Sequence, residues 1–390
     1  MEALLQILLI LLIAKILGEA SERIGLPAII GEIAAGFTLT LIMVPSDTEI
    51  LKFFAELGAI FLLFTAGYRE VHLSDLKEAS KTALVPTIFQ TIVAFGFGFI
   101  LGQAFGMGLI ESIFIGVAFS PTSISVVVKT LIDSDYLSSK PGSMMLTSAI
   151  FDDIIGIFLL SVVASLATYN HLPSGIQLLS ISGKIILFIL IMGLIGLKIF
   201  PHIFQYVQKM HTKESIFAFV VIIALFSAYL AEVFGLHAVI GAFFGGVLLS
   251  EIPLAKLENV QKKVSGLAYG VFTPVFFAFI GMSVEISVLS TAGAFTVLVV
   301  ILALTSKLIG GFIGTRLIGF DWKDGLVFGI GMMPRAGVEL VVIAIGKELG
   351  IVSQEVFSAI VFMVVASIVI SPIMLEMAIK YREKATYQRP

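Results

Sequence analysis

Along this chain apolar residues gather into long runs separated by short polar stretches. Thirteen runs approach the length, about 20 residues, that crosses ~30 Å of hydrocarbon. They centre near Ile10, Ala35, Phe61, Ala94, Ala118, Ile155, Ile189, Ile223, Ala242, Val275, Ala303, Gly331 and Val365, and several are short or carry Pro and Gly. The pattern predicts an all-α membrane protein with 13 transmembrane helices, short loops and no appended soluble domain. Met1 to Ile16 has the apolar character of a signal peptide, but no basic segment precedes it and no small-residue cleavage site follows. It is read as a retained first span.

The polar stretches set the orientation. With the N-terminus outside, loops after odd-numbered spans and the C-terminal tail face the cytoplasm, and these carry 18 of the 24 Lys and Arg. The opposite side carries three, Lys52, Lys184 and Lys347, and the spans themselves hold Lys15, Lys307 and Arg335. This bias predicts N-out, C-in.

The halves of the pattern repeat. Gly25-Leu26-Pro27-Ala28-Ile29-Ile30-Gly31 returns as Gly235-Leu236-His237-Ala238-Val239-Ile240-Gly241 at an offset of 210, which also carries Glu22 onto Glu232. Gly67 maps onto Gly281 at 214, and Gly116 and Pro121 map onto Gly329 and Pro334 at 213. Spans 1–6 thus pair with spans 8–13 around a linker span, a 6+1+6 plan. Partners lie an odd number of spans apart, so the halves cross the membrane in opposite directions. Secondary transporters use this inverted repeat, with their site at the repeat interface near the midplane.

Composition narrows the class without changing it. The 390 residues are 58% hydrophobic and 13% charged, mean hydropathy is +1.09, and net charge is -3 with no basic tract to grip a nucleic acid. Cysteine is absent, which excludes disulfides and thiolate metal sites.

Against that background Asp152 and Asp153 stand out, adjacent carboxylates inside the apolar run Met144 to Leu166. Carboxylates in a membrane-spanning helix are costly and mark ion or proton pathways. Neighbours differ by about 100° around a helix, so one can face a cavity while the other faces a packed helix. Pro121 and Pro334 interrupt corresponding spans of the two halves. A mid-helix proline frees carbonyls that a membrane tolerates only where protein or a water-filled cavity satisfies them. Ser120, Thr122, Ser123 and Ser125 supply oxygens at the first break, and Arg335 stands at the second. Counting inward from loop charges at ~1.5 Å per residue, Pro121, Asp152, Lys307 and Arg335 lie roughly 12–18 Å deep, one common level. Hard oxygens suit Na+, Li+ or K+, and the predicted cation and proton site includes both Asp152 and Asp153. A buried lysine is suited either to carrying a proton or to pairing with Asp152. Competition between protons and a small cation at one carboxylate is antiport.

The sequence resembles the monovalent cation:proton antiporter family, in its Kef/NapA-type branch, over essentially all 390 residues. Phe151-Asp152-Asp153, Pro274-Val275-Phe276-Phe277, Gly281-Met282-Ser283, Lys307 and Pro334-Arg335-Ala336-Gly337-Val338-Glu339 carry the resemblance. It implies that Asp153 is the essential Na+ and proton site and that Asp152 pairs with Lys307. It further implies that two broken helices cross beside them, with the Thr122 region, Ser123 included, offering oxygens. Residues 1–80 and 214–290 would form a scaffold, 81–170 and 291–390 a mobile core moving as an elevator, and 171–213 the linker helix. A homodimer in the cell membrane is implied, and no cofactor. The double aspartate with a lysine is similar to the electrogenic members that exchange two protons for one Na+. Electroneutral relatives have Asn before the aspartate, and potassium-efflux types have Gln and a nucleotide-binding domain. Many relatives read Pro-Arg-Gly-Glu in span 12, whereas here Ala336, Gly337 and Val338 precede Glu339, so the family role of that glutamate is not carried over.

Weighed against these readings are plainer ones. Arg335 and Glu339, four apart, would pair with each other in a structural role, and Lys15 would snorkel to the interface. Glu32 would be either a scaffold hydrogen-bond partner or a lining of the cytoplasmic funnel. A K+/H+ antiporter or a sodium-coupled organic-anion symporter are the alternative activities. An intramembrane aspartyl protease is excluded, because adjacent aspartates cannot face each other across a scissile bond.

Overall fold

The computed structural model describes residues 2–387 except 43–47, 70–80, 134–135, 138, 168–174, 256–257 and 285–292. In chain order its helices are α1 (Glu2–Arg23), α2 (Ala28–Ile42), α3 (Thr48–Arg69), α4 (Lys81–Ala104), α5 (Leu109–Ala118) and α6 (Ile124–Asp133). Next come α7 (Lys140–Ala167), α8 (Gly175–Leu194), α9 (Phe200–Val207), α10 (Ser215–Val233), α11 (Ala238–Leu249) and α12 (Glu258–Leu267). The last are α13 (Thr273–Met282), α14 (Gly293–Leu317), α15 (Trp322–Gly331), α16 (Gly337–Glu348) and α17 (Gln354–Tyr387). Among the described residues there is no strand.

Nine helical stretches among the described residues have the length and apolarity to cross a membrane. The remaining four of the thirteen expected centres, Ala35, Ala118, Ala242 and Gly331, fall on helices of 15, 10, 12 and 10 residues. Two of these short helices follow the turns that Gly25 and Gly235 close with positive φ, 82° and 73°. The other two end at breaks. Leu4, Leu8, Leu12 and Ile16 of α1 are all more than half exposed, an apolar face suited to lipid and not to water. The chain is a multi-pass membrane protein.

Two long helices pass through a π-helical segment just before a proline. Ile195–Ile199 joins α8 to α9 ahead of Pro201, and Ala268–Phe272 joins α12 to α13 ahead of Pro274. The wider turn relieves the clash of the ring with the preceding carbonyls. In that register the Tyr269 carbonyl would face the amide that Pro274 lacks. Lys15 Nζ donates to this carbonyl at 2.7 Å and lies 3.8 Å from the buried Glu32 carboxylate. Lys15 thus does more than reach for the interface: it satisfies a backbone group freed by proline.

The chain divides into two compact units, Met1–Leu76 with Ala164–Ser283, and Lys77–Val163 with Val284–Pro390. In the first unit α1 packs on α2, α10 on α11, α3 on α11 and α2 on α13. Gly36 of α2 lies against the Ala278 carbonyl of α13, and Gly246 of α11 against the Phe64 carbonyl of α3, each so close that a Cβ would collide. Leu26 N donates to Ser21 O at 3.0 Å, and Leu236 N to Ala231 O at 2.9 Å. In the second unit α4 packs on α5 and α14, α14 on α15, α16 on α5, and α17 on α14 and α15.

Candidate functional site

Two helix interruptions organise the second unit. After α5, Phe119 to Ser123 leave the helix, and after α15, Met332 to Ala336 do the same. Both breaks carry the predicted prolines, Pro121 and Pro334. They meet: Ser123 N donates to the Pro334 carbonyl at 2.8 Å, and Thr122 Oγ1 lies 3.1 Å from the Met332 carbonyl. Ser123, expected as an oxygen ligand, contributes its amide to this junction.

Arg335 answers the need created by the freed carbonyls. Its side chain is fully buried, and the guanidinium donates to Met333 O at 2.9 Å, Phe119 O at 2.9 Å and Ala303 O at 2.8 Å. It thereby ties both breaks and α14 together. Arg335 N also donates to Ser367 Oγ of α17 at 3.0 Å. The expected Arg335–Glu339 ion pair does not form within 4 Å among the described residues. Instead Glu339 Oε2 accepts from the Ala336 amide at 3.0 Å, capping α16.

Asp152 sits beside this junction on α7, 1% exposed, and Lys307 on α14 is fully buried. Lys307 Nζ donates to Asp152 Oδ2 as an ion pair shielded from solvent on both sides. Thr122 Oγ1 donates to the same oxygen at 2.6 Å. Close approach of backbones makes this possible. Gly156, one turn beyond Asp152, lies against the Pro121 ring, and Gly310, near Lys307, lies against Gln90 Cα of α4. A side chain at either glycine would separate the helices that carry the cluster.

The sequence reading did not identify two further members, both on α4. Gln90 Nε2 donates to Asp152 Oδ2 at 3.2 Å, and Thr91 Oγ1 to Asp152 Oδ1 at 2.8 Å. Their signal was present in the sequence as a polar pair amid the apolar run around Ala94, but it lacks the charge that made Asp152 and Lys307 conspicuous. Asp153 follows on the same helix turn; its side chain lies outside the described residues, as does that of Ser125.

Asp152 therefore accepts four donors, one an ammonium. Each of its oxygens has a hydrogen-bond partner although the site is shielded from water. A cation approaching it must compete with Lys307 for the same oxygen.

Comparisons with known proteins place the chain in a family. Residues 8–380 match the family of transmembrane sodium/hydrogen exchangers. The chain is 32% identical over 386 residues to the Na+/H+-K+ antiporter GerN of Bacillus cereus, covering 98% of each. It is equally 32% identical over 387 residues to a Na+/H+ antiporter of Enterococcus hirae, again covering 98% of each. The sodium proton antiporter MjNhaP1 of Methanocaldococcus jannaschii has the same fold, with a TM-score of 0.75 at 18% identity over 97% of this chain and 98% of that one. The chain belongs to the sodium/hydrogen exchanger family, multi-pass exchangers of the cell membrane and not enzymes.

Proposed function

We propose that this protein exchanges Na+ or Li+ for H+ across the cell membrane, with Asp153 binding cation or proton in turn and Asp152 holding Lys307 beside it. The observation that carries the reading is the buried Asp152–Lys307 pair placed where two interrupted helices meet. A transporter needs a charge that can be neutralised in more than one way, and this pair supplies it inside a satisfied polar shell. The names of the relatives support Na+/H+ exchange: the Enterococcus protein is a Na+/H+ antiporter and GerN a Na+/H+-K+ antiporter. A protonatable lysine in addition to the aspartate allows protons to exceed cations, which makes the exchange electrogenic.

Thirteen membrane-crossing segments, N-out and C-in, in a 6+1+6 inverted repeat, are part of the same proposal. Matched contacts in the first unit support it. The Gly36–Ala278 and Gly246–Phe64 contacts correspond at the sequence offsets 210 and 214 with the halves exchanged, and the turns at Gly25 and Gly235 correspond at 210. Residues 1–80 and 214–290 would be scaffold in a homodimer, and residues 171–213 the linker. Residues 81–170 and 291–390, which hold every side chain of the cluster, would carry the site across as an elevator.

The test is reconstitution in liposomes holding a pH gradient, with NaCl, LiCl or KCl added in turn and voltage clamped or free. Dissipation by Na+ and Li+ that changes with voltage is the expected result. Dissipation by K+ alone would assign the protein to K+/H+ exchange, and no dissipation by any of the three would overturn antiport.

A further inference from the structure

Gln90 and Thr91 have no part in the reading above, yet both side chains are buried against Asp152. Thr91 Oγ1 has a second acceptor, the Thr87 carbonyl at 2.9 Å, besides Asp152 Oδ1 at 2.8 Å. Thr122 Oγ1 likewise reaches both Asp152 Oδ2 at 2.6 Å and the Met332 carbonyl at 3.1 Å. A hydroxyl carries one proton and can give it to one acceptor at a time. When that proton turns to the main-chain carbonyl, the oxygen lone pair faces Asp152 instead. Gln90 Oε1 is buried and accepts no hydrogen bond among the described residues, an uncommon state for an amide oxygen in a dry interior. It belongs to the same amide whose Nε2 meets Asp152, so a half-turn of that amide brings it to the carboxylate.

We propose that Gln90 and Thr91 of α4 are cation ligands: when Na+ or Li+ displaces the Lys307 ammonium from Asp152, they join Thr122 in coordinating the ion. The Thr91 and Thr122 protons turn to the carbonyls of Thr87 and Met332, and the Gln90 amide presents Oε1. The ion then meets carboxylate, hydroxyl and amide oxygens, the hard donor set an alkali cation takes. Lys307 occupies this position as a tethered cation until the ion arrives. The donors that hold the ammonium in place thus become acceptors for its replacement, by rotation about single bonds and with no backbone movement. The proposal rests on the reading of the Asp152, Asp153 and Lys307 cluster as the exchange site, and it adds α4 as an element that sets ion preference.

Thr91→Val keeps the shape of the side chain and removes the oxygen, Thr91→Ser keeps the oxygen, and Gln90→Leu removes the amide. For each purified variant the Na+ and Li+ concentrations giving half-maximal exchange are measured in liposomes, alongside the Na+ concentration giving half of the ion's thermal stabilisation in detergent. Thr91→Val and Gln90→Leu are expected to raise all three concentrations by about tenfold, and Thr91→Ser to restore wild-type values to within about threefold. Unchanged concentrations in folded Thr91→Val and Gln90→Leu protein would overturn the proposal. If either fails to fold, Gln90→Asn, which withdraws the amide by one methylene, decides: an unchanged Na+ dependence overturns the proposal and a raised one supports it. Asp153→Asn runs in parallel to separate the two readings. Retained exchange in Asp153→Asn would overturn the exchange-site reading. Lost exchange there, with wild-type Na+ dependence in the α4 variants, would overturn the α4 proposal alone.

Discussion

Removing either member of the Asp152–Lys307 pair leaves a buried charge, but the two removals are not equivalent. Both side chains have no solvent exposure, so breaking the pair belongs to the class of perturbations that cost about 3–5 kcal/mol. In Lys307→Met, however, the Asp152 carboxylate keeps Gln90, Thr91 and Thr122 as donors. Hydrogen bonds to a charged group are worth about 1.5–3 kcal/mol each, so the remaining shell offsets much of the loss and brings it to about 1–3 kcal/mol. In Asp152→Asn the Lys307 ammonium loses its carboxylate and no comparable shell among the described residues replaces it, so the full cost of about 3–5 kcal/mol applies. For a cooperative unit of about 200 residues, 1 kcal/mol moves Tm by about 2–4 °C. Asp152→Asn should therefore lower Tm by roughly 10 °C and Lys307→Met by about half as much. The double variant should be more stable than Asp152→Asn alone, because neither member of the pair is left charged without the other. The assay is thermal unfolding of detergent-purified protein at one scan rate. The reasoning is refuted if Lys307→Met falls as far as Asp152→Asn, or if the double variant is no better than the worse single one.

Three further outcomes follow from the geometry. Arg335→Met removes three donors to carbonyls at the two breaks and should lower stability by about 3 kcal/mol or more, with Arg335→Lys recovering only part, both read as Tm. Gly310→Leu would drive a side chain into Gln90 Cα, separate α4 from α14, and reduce exchange in liposomes at least as strongly as Lys307→Met, whereas an active Gly310→Leu would contradict the packing account. If Lys307 is the group that lets protons exceed cations, as proposed, any exchange retained in Lys307→Gln should no longer change with imposed voltage; retained voltage dependence would show that Lys307 only pairs with Asp152.

The charged members of the cluster were legible in the sequence because each is expensive in hydrocarbon. Asp152, Lys307 and Arg335 interrupt apolar runs, and matched Pro121 and Pro334 mark the breaks that bring them to one depth. Gln90 and Thr91 were not legible: neither carries a charge that would be expensive in hydrocarbon, and a threonine in a helix has an intrahelical carbonyl to bond, as Thr91 bonds Thr87 O. The partner of Arg335 was misread for a related reason. Spacing along one helix pointed to Glu339, whereas the carbonyls of Phe119 and Ala303 come from other helices and leave no mark in local sequence. The long spans were clear from hydropathy alone. The short helices around Ala35 and Ala242 were placed correctly but with their turns, at Gly25 and Gly235, taking residues that a full span would have used.

The central claim is that Asp153 binds cation or proton in turn, with Asp152 holding Lys307 until the cation arrives. Proteoliposomes containing wild type, Asp153→Asn or Asp152→Asn, loaded with a pH dye and challenged with NaCl, test it most directly. The account predicts Na+-driven proton movement in wild type, none in Asp153→Asn, and a reduced or voltage-altered exchange in Asp152→Asn. Full activity in Asp153→Asn would contradict it.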